Sequence, residues 1–231
     1  ASAGDSCGGT ESMTYIENVF ICIAIPLILS MLFTRGRARS FTVFVTIGMT
    51  VSLLSAYVSG FFMSALGADA VISAIEITPV SEEVMKLLPT LFWFLIYEPD
   101  IRKLPDVAIG IAVGFATFEN VCFLAENGAE DIRFVLIRGI SAGALHILCG
   151  IMTGFGLSVV FRQRWLALTG TVGILGFCIG FHAIYNLLIT AEGAWRVAGY
   201  LLPSVMIVVL GVVGRFAPRL EERFANGKQI F

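Results

Sequence analysis

The sequence predicts an all-α membrane protein, because its composition is too apolar for a soluble domain and its apolar residues form long runs. Hydrophobic residues make up 57% of the 231 residues and charged residues only 14%, whereas soluble domains average about 25% charged residues. The mean hydropathy is +0.89. We therefore predict a polytopic transmembrane helical bundle of about seven spans, with one transmembrane domain over residues 14–216.

Seven apolar runs are each long enough to cross a bilayer as a helix that rises about 1.5 Å per residue. They are residues 15–33, 41–66, 79–97, 107–124, 135–161, 166–189 and 197–213. In the third run we expect Thr78 to cap the helix and Pro79 to take its first position. Residues 67–77 are predicted to be a short mixed connection.

Basic residues are concentrated in alternate connections between these runs. They follow the first, third and fifth runs and recur in the C-terminal tail, residues 217–231. The positive-inside rule therefore predicts an N-terminus outside the cell and a C-terminus in the cytoplasm. We expect residues 1–13 to be a disordered extracytoplasmic tail whose Cys7 is either free or bonded to another molecule. The other four cysteines lie in apolar runs, where small packing residues are expected.

Ionisable residues inside the runs indicate a functional site. Glu82 and Glu83 open the third run together with Lys86, and a carboxylate inside a bilayer costs roughly 3 kcal/mol. Either glutamate alone fits the N-terminus of a helix or an ion pair with Lys86. Lys86 can neutralise only one of them, so the pair indicates a carboxylate with another purpose.

Three further ionisable side chains are predicted at a similar depth. They are Glu119, His146 and His182, about 10–12 Å from the outer ends of their runs. A lone histidine in a membrane often only joins two helices by a hydrogen bond. Glycines three or four residues apart indicate that these runs pack closely; they are Gly110, Gly114, Gly139, Gly143, Gly150, Gly154, Gly176 and Gly180. We therefore expect the ionisable groups to meet in one layer beneath the outer membrane surface.

This combination of side chains fits hydrolysis. Imidazole and carboxylate groups are zinc ligands, so we predict a Zn²⁺ site with one open position for water. Its ligands are Glu119, His146 and His182. The predicted general base is Glu82 or Glu83. Asn186, one turn after the second histidine, is predicted to donate a hydrogen bond to the tetrahedral oxyanion.

Four polar motifs follow one another on successive runs. They are Glu82-Glu83-x-x-Lys86, Phe115-x-x-x-Glu119-Asn120, His146, and His182-x-x-x-Asn186. Their order resembles the PrsW family of intramembrane proteases, within the wider superfamily of CAAX-type membrane proteases, over residues 78–190. CAAX-type relatives have FxxxH where this chain has Phe115 and Glu119, and this difference favours PrsW.

The resemblance implies an intramembrane endopeptidase in a bacterial cytoplasmic membrane. Its substrate would be a membrane-anchored protein cut near the outer leaflet, an anti-sigma factor being one candidate. Two mechanisms stay open, one that uses a metal and one that depends on glutamate without a metal.

Two other classes of function also place ionisable residues in a membrane. A proton- or metal-translocating transporter needs polar residues that continue into the cytoplasmic half, where these runs are apolar. A non-catalytic bundle would use the polar groups only to join helices. We expect that role for Asn120, and we expect Arg138 to mark the membrane interface. The sequence shows no nucleic-acid-binding pattern and no phosphate-binding loop.

Overall fold

The structure is a computed structural model that describes residues 15–97 and 100–227, and helices make up nearly all of that part of the chain. The helices are α1 Ile16–Phe33, α2 Gly36–Leu66, α3 Ala70–Ile72, α4 Thr78–Phe92, α5 Leu104–Asn127, α6 Ile132–Val160, α7 Ala167–Thr190 and α8 Ala194–Gly227. Two π-helical segments, Ser73–Ile77 and Trp93–Tyr97, flank α4. The all-α prediction is confirmed for the described residues.

Six helices are long and apolar enough to cross a membrane, so the chain is a multi-pass integral membrane protein. They are α1, α2, α5, α6, α7 and the first part of α8. The third predicted span, residues 79–97, is helical but is not one of these six, because three charged residues fall within little more than one turn of it. The predicted tail 1–13, including Cys7, lies outside the described residues. Within the predicted tail 217–231, α8 continues to Gly227.

The helix that carries the glutamate pair starts earlier than predicted. The Asp69 carboxylate accepts a hydrogen bond from the N–H of Ile72 at 2.8 Å and caps α3. Thr78 is already helical, with φ −59° and ψ −48°. Residues 70–97 therefore form one continuous helical segment. The prediction of Thr78 as N-cap is wrong, because the helix has already begun at Ala70. Pro79 lies inside this helix, just after its π-helical turn, and does not start a new one.

Helix α5 lies between α2 and α6 and packs so closely against both that backbone atoms of neighbouring helices come into contact. A Cβ placed on Gly114 would overlap the carbonyl group of Val45 in α2. On the other side, a Cβ on Gly150 of α6 would lie 2.6 Å from the Cβ of Ala112. Glycine is required at such contacts because any side chain would push the helices apart. The tight core formed by α2, α5 and α6 supports the groups of the site.

The predicted glycine seams are confirmed in part. A Cβ would meet a neighbouring helix at Gly110, Gly114, Gly150 and Gly154, whereas one would meet nothing within 4 Å at Gly139, Gly143, Gly176 and Gly180. The prediction of a seam in α7 is therefore wrong. The buried residues of α7 are Cys178, His182 and Tyr185, so this helix packs through larger side chains and its glycines lie on another face.

Helix α4 turns its polar side towards the protein interior. Glu82, Glu83 and Lys86 are buried, while Leu88 and Phe92 are more than half exposed. This arrangement is the reverse of an amphipathic helix on a soluble protein, where the charged face meets water. In a bilayer, charged side chains are expected to face the bundle interior or a water-filled cavity. The fold therefore brings the charged groups of α4 against α5, α6 and α7.

Candidate active site

Glu83 is the centre of a buried network that joins α4, α6 and α7. Its Oε1 accepts a hydrogen bond from Lys86 Nζ at 2.7 Å and another from His182 Nδ1 at 2.8 Å. Lys86 Nζ also lies 3.1 Å from Nδ1 of His146. The two histidine rings meet edge to face, with centroids 5.3 Å apart. The structure therefore brings together both histidines and the EExxK motif, as the sequence predicted.

These contacts indicate which ring nitrogens carry hydrogen. The Lys86 ammonium only donates, so His146 Nδ1 accepts and its Nε2 carries the hydrogen, which it donates to Glu119 Oε2. In His182, Nδ1 donates to Glu83, which leaves Nε2 with a free lone pair. Each imidazole is thus oriented by a different glutamate, an arrangement typical of histidines in metal and catalytic sites.

Glu82 presents the one polar side-chain atom of the described residues that is buried without a hydrogen-bond partner, its Oε2. This oxygen lies 3.8 Å from Nε2 of His182, which is too long for a direct hydrogen bond. Leaving a buried carboxylate oxygen without a donor is costly. The position between Glu82 and His182 is therefore suited to a polar occupant, either a water molecule or a cation.

Three of these side chains have the spacing of a metal site. Glu82, His146 and His182 can each offer one ligand atom so that the three atoms lie within 4.8 Å of one another. A second buried group with the same spacing contains Glu83, Cys149 and Cys178. The Cys178 thiol contacts the carbonyl oxygen of Cys149 at 3.7 Å. The four described cysteines are free; Cys149 and Cys178 are buried, as expected of small packing residues, whereas Cys22 is exposed.

Glu119 is held from both sides. Its Oε2 faces His146, and its Oε1 accepts from Nη2 of Arg138 at 2.5 Å. The same guanidinium donates through Nε to Asn120 Oδ1 at 3.2 Å and lies 4.1 Å from the centre of the Phe123 ring. Asn120 thus joins α5 to α6, as expected. The Arg138 side chain is only 13% exposed, so it belongs to the site in addition to lying near the end of α6.

Asn186 stabilises the π-helical turn Ser73–Ile77, which precedes the glutamate pair, by a side-chain hydrogen bond. The N–H of Thr78 donates to the carbonyl of Ser73, in the register of a π-helix. In that register the following N–H would serve the carbonyl of Ala74, but the following residue is Pro79, which has none. Nδ2 of Asn186 donates to this carbonyl at 2.7 Å. An amide carries two hydrogens, so the predicted bond to an oxyanion would use the other one.

Comparison with known proteins decides the family of the chain. A family profile described as PrsW family intramembrane metalloprotease matches residues 36–213, which is well over half of the sequence. The chain belongs to the PrsW family. It is similar to Protease PrsW of Bacillus subtilis (strain 168), with 29% identity over 104 residues that cover 42% of this chain and 43% of the relative. The chain thus matches less than half the length of that curated relative. No solved structure matches.

The PrsW match contains α2 to α7 and the first part of α8, and therefore every ionisable residue of the site. Helix α1 precedes the match. Membership confirms the resemblance to PrsW, and the wider CAAX-type relationship stays a prediction. The roles predicted for the individual side chains also stay predictions, since family membership does not assign them.

Sequence reasoning missed the place of Arg138 in the site. A signal for it exists: α5 and α6 are joined by a short connection, so residues at similar distances from that connection lie at similar depths. Glu119 lies eight residues before the end of α5, and Arg138 six residues after the start of α6. The sequence contains no comparable signal for the different roles of Glu82 and Glu83, because these roles depend on the direction in which each side chain points.

Proposed function

We propose that the chain is an intramembrane endopeptidase in which Glu82 takes the proton from the attacking water. The observation that carries this proposal is the buried Glu82 Oε2 without a partner, 3.8 Å from His182 Nε2. A water between these atoms can donate one hydrogen to each, which leaves its lone pairs directed at a substrate carbonyl. Glu82 would then pass the proton to the leaving amine.

The ion pairs around the site favour Glu82 over Glu83 as the base. Glu83 is paired with Lys86, and Glu119 with Arg138. Glu82 is the remaining carboxylate of the cluster. Glu83 would instead hold His182 in the tautomer whose Nε2 faces the water, and Glu119 would hold His146. Asn186 would stabilise the oxyanion with its second amide hydrogen, which is the role predicted from its spacing.

Zn²⁺ fits the same group of side chains, and in that alternative Glu82 would be a ligand and not the base. Glu82 offers a buried oxygen without a donor and His182 a free lone pair, and oxygen and imidazole nitrogen are both usual zinc ligands. His146 could join them only by releasing Lys86 or Glu119, because both of its ring nitrogens are engaged. Glu119 is the alternative carboxylate ligand predicted from the sequence. When bound, the ion would supply Lewis-acid activation of water.

Metal analysis separates the two mechanisms. If Zn²⁺ is required, the purified protein should contain about one equivalent, His182→Ala should lower that content, and a chelator should abolish cleavage until zinc is restored. Full activity in a chelator, with no stoichiometric metal, would favour the glutamate mechanism without a metal.

We propose seven membrane crossings, with residues 70–97 as the third. Phe44 of α2 lies against Gly110 of α5. Further along both helices, Ala56 of α2 lines one cleft with Glu126 of α5, so the register fits parallel packing of α2 and α5. Parallel neighbours require a return crossing between them. At about 1.5 Å per residue, the helical residues 70–97 are about 40 Å long, which exceeds the hydrocarbon thickness of about 30 Å. The distribution of basic residues supports an N-terminus outside and a C-terminus in the cytoplasm.

The packing at the far end of α4 favours an enzyme over a transporter. Beyond Lys86, the buried residues Leu87, Phe94, Leu104 and Leu157 form an apolar cluster. An ion path through the bundle would need polar groups there. A site that is reached from one side suits hydrolysis, whereas a transporter must open to both sides.

The proposed function can be tested without knowing the substrate. The purified protein is reconstituted in liposomes with solubilised bacterial membrane proteins, and new peptide termini are mapped by mass spectrometry. We expect termini near the outer ends of transmembrane segments with the wild type and none with Glu82→Gln. An anti-sigma factor among the cleaved proteins would match the substrate that the family resemblance implies. No new termini with the wild type, or the same termini with Glu82→Gln, would overturn the proposal.

A further inference from the structure

A narrow cleft leads from the surface of the protein to Glu82. It has a volume of about 190 Å³ and lies between the start of α1, the middle of α2 and the second half of α5. Its lining includes the buried Glu82 inside the protein and the exposed Glu126 at the surface. The unpartnered Oε2 of Glu82 shows that the inner end is suited to a polar group.

We propose that the substrate reaches Glu82 through this cleft as an extended chain, and that Glu126 favours a substrate with a lysine or arginine near the cut. This inference rests on the proposed function. It adds the route of the substrate and a residue that selects it.

The small volume of the cleft favours an extended chain. A helix with its side chains is about 10 Å or more across, so a cavity of about 190 Å³ holds an extended segment more readily than a helical one. The wall formed by α2 consists partly of small residues, Ser52, Ser55 and Ala56, which leave room for a backbone. A peptide bond inside a helix is also protected by its own hydrogen bonds. Unwinding would therefore both admit the substrate and expose the bond to be cut.

Helix α1 forms the weakest wall of the cleft. Among its residues only Ala24 is buried. It is attached at the level of the cleft by an edge-to-face contact between Phe20 and Phe118, whose ring centres lie 5.4 Å apart, and by a hydrogen bond from Tyr57 to Glu17. Helix α1 packs mainly against α2 and meets α5 chiefly through Phe20 and Phe118, so a substrate can enter from the bilayer between α1 and α5.

The charges along the cleft favour a basic substrate. Glu119 is already paired with Arg138, whereas Glu82 and Glu126 add two further carboxylates to the lining of the cleft. Glu126 lies two helical turns beyond Glu119, or about 10 Å along α5. An extended chain covers that distance in about three residues at roughly 3.3 Å each. We therefore place the preferred basic residue about three positions from the bond that is cut.

The charge preference is tested with single-span reporter proteins that carry Lys, Gln or Glu three residues outside a common cut site. The reporters take their cut site from a protein that the wild type cleaves in the liposome assay. We expect the wild type to cleave the Lys reporter about fivefold faster than the Glu reporter, as suits a partly exposed charge pair. Glu126→Lys should reverse this order. Glu130→Lys is the matched control, because Glu130 is an exposed acidic residue that does not line the cleft.

An unchanged preference in Glu126→Lys, or an equal change in Glu130→Lys, would overturn the role of Glu126. If the wild type cleaves none of the reporters and no membrane protein in the liposome assay, the proposed function fails and this inference fails with it. Cleavage of all three reporters at equal rates would leave the proposed function intact and refute only the charge preference.

The route is tested by filling the cleft. Ala56→Trp should lower the cleavage of every reporter at least tenfold, whereas Leu54→Trp, at an exposed position of α2 outside the cleft, should not. A second groove of about 330 Å³ lies between α2 and α4 and includes Val80. If Val80→Trp blocks cleavage and Ala56→Trp does not, the substrate enters there instead and the proposed route is wrong. Thermal unfolding in detergent shows that each variant is folded.

Discussion

The two halves of α4 have opposite chemistry although they belong to one helix. The first half buries Glu82, Glu83 and Lys86 against the histidines of α6 and α7. Beyond it, Leu87 of α4 and Phe94 of the π-helical segment Trp93–Tyr97 pack in an apolar cluster. Apolar packing is what a membrane bundle needs for stability, whereas buried charges lower stability unless they are paired. The difference indicates that the polar half is retained for chemistry and the apolar half for folding.

The polar half also contains a second contrast between neighbouring residues. Glu83 has two hydrogen-bond donors on one oxygen, while Oε2 of Glu82 has none. A network that served only to join helices would be expected to satisfy both carboxylates. The Oε2 of Glu82, which has no donor among the described residues, therefore favours the proposed protease over a bundle whose polar groups only join helices.

The largest expected effect is the loss of activity in Glu82→Gln. Removing a general base lowers the rate by about 10²–10⁴-fold, and we expect about 10³-fold here. Stability should not fall, because the change removes a buried charge whose oxygen has no partner. Initial rates of reporter cleavage and the melting temperature in detergent measure the two effects.

Glu83→Gln is the matched control for that prediction. It breaks the ion pair with Lys86 and weakens the bond to His182, so it should lower the melting temperature as well as the rate. If Glu82→Gln destabilised the protein and Glu83→Gln did not, the assignment of the two glutamates would have to be exchanged.

The next largest expected effect is the loss of activity in Asn186→Ala, and a second substitution separates the two possible roles of this residue. Asn186→Ala should lower the rate about 10²-fold through the lost oxyanion donor and reduce stability by about 1 kcal/mol, because the Ala74 carbonyl loses its partner. Pro79→Ala provides the N–H that the π-helical register lacks at this carbonyl. The double variant should therefore regain stability without regaining the rate.

The double variant decides between two roles of Asn186. Recovery of both rate and stability would show that Asn186 acts only by holding the turn, and the oxyanion prediction would be wrong. Pro79→Ala alone provides the baseline for both measurements. Rates are followed with the reporter assay and stability by unfolding in a denaturing detergent.

In the apolar cluster beside the second half of α4, the substitution Leu157→Ala in α6 should reduce stability and leave the chemistry intact. Leu157 is completely buried in the apolar cluster. We expect a loss of about 2 kcal/mol, at the low end for such truncations, because in lipid the lost packing and the cavity matter more than transfer from water. The rate per folded molecule should stay within about twofold. A large loss of rate without a loss of stability would show that the two halves are not separable.

Much of this architecture could be predicted because the bilayer restricts what a sequence can do. The apolar runs predicted the ends of α5 and α6 to within a few residues. The similar predicted depths of Glu119, His146 and His182 correctly indicated that these side chains lie close together. Local patterns were less reliable where tertiary contacts decide. Thr78 and Pro79 have the pattern of a helix start, yet Asp69 caps the segment and the proline lies within it.

The details of the site could not be predicted, because they depend on side-chain directions and not on depth. Glu82 and Glu83 are adjacent in sequence and project about 100° apart on a helix, so one meets Lys86 and the other meets no donor. Glycine spacing has the same limitation, because it cannot tell which face of a helix packs. The spacing predicted close packing equally at Gly150, which contacts α5, and at Gly180, where a Cβ would meet no atom within 4 Å.

The smallest expected effect tests whether polar contacts in the first half contribute much stability. The hydroxyl of Ser59 in α2 contacts that of Ser81 in α4, and Ser81 also donates to the carbonyl of Ile77 at 2.9 Å. Hydrogen bonds between membrane helices contribute about 0.6 kcal/mol on average, so Ser59→Ala should cost about that amount. A double-mutant cycle with Ser81→Ala isolates the contact between the two hydroxyls. If Ser59→Ala cost more than Leu157→Ala, polar contacts would stabilise the fold as much as apolar packing does, and the division of α4 into a chemical half and a folding half would be wrong.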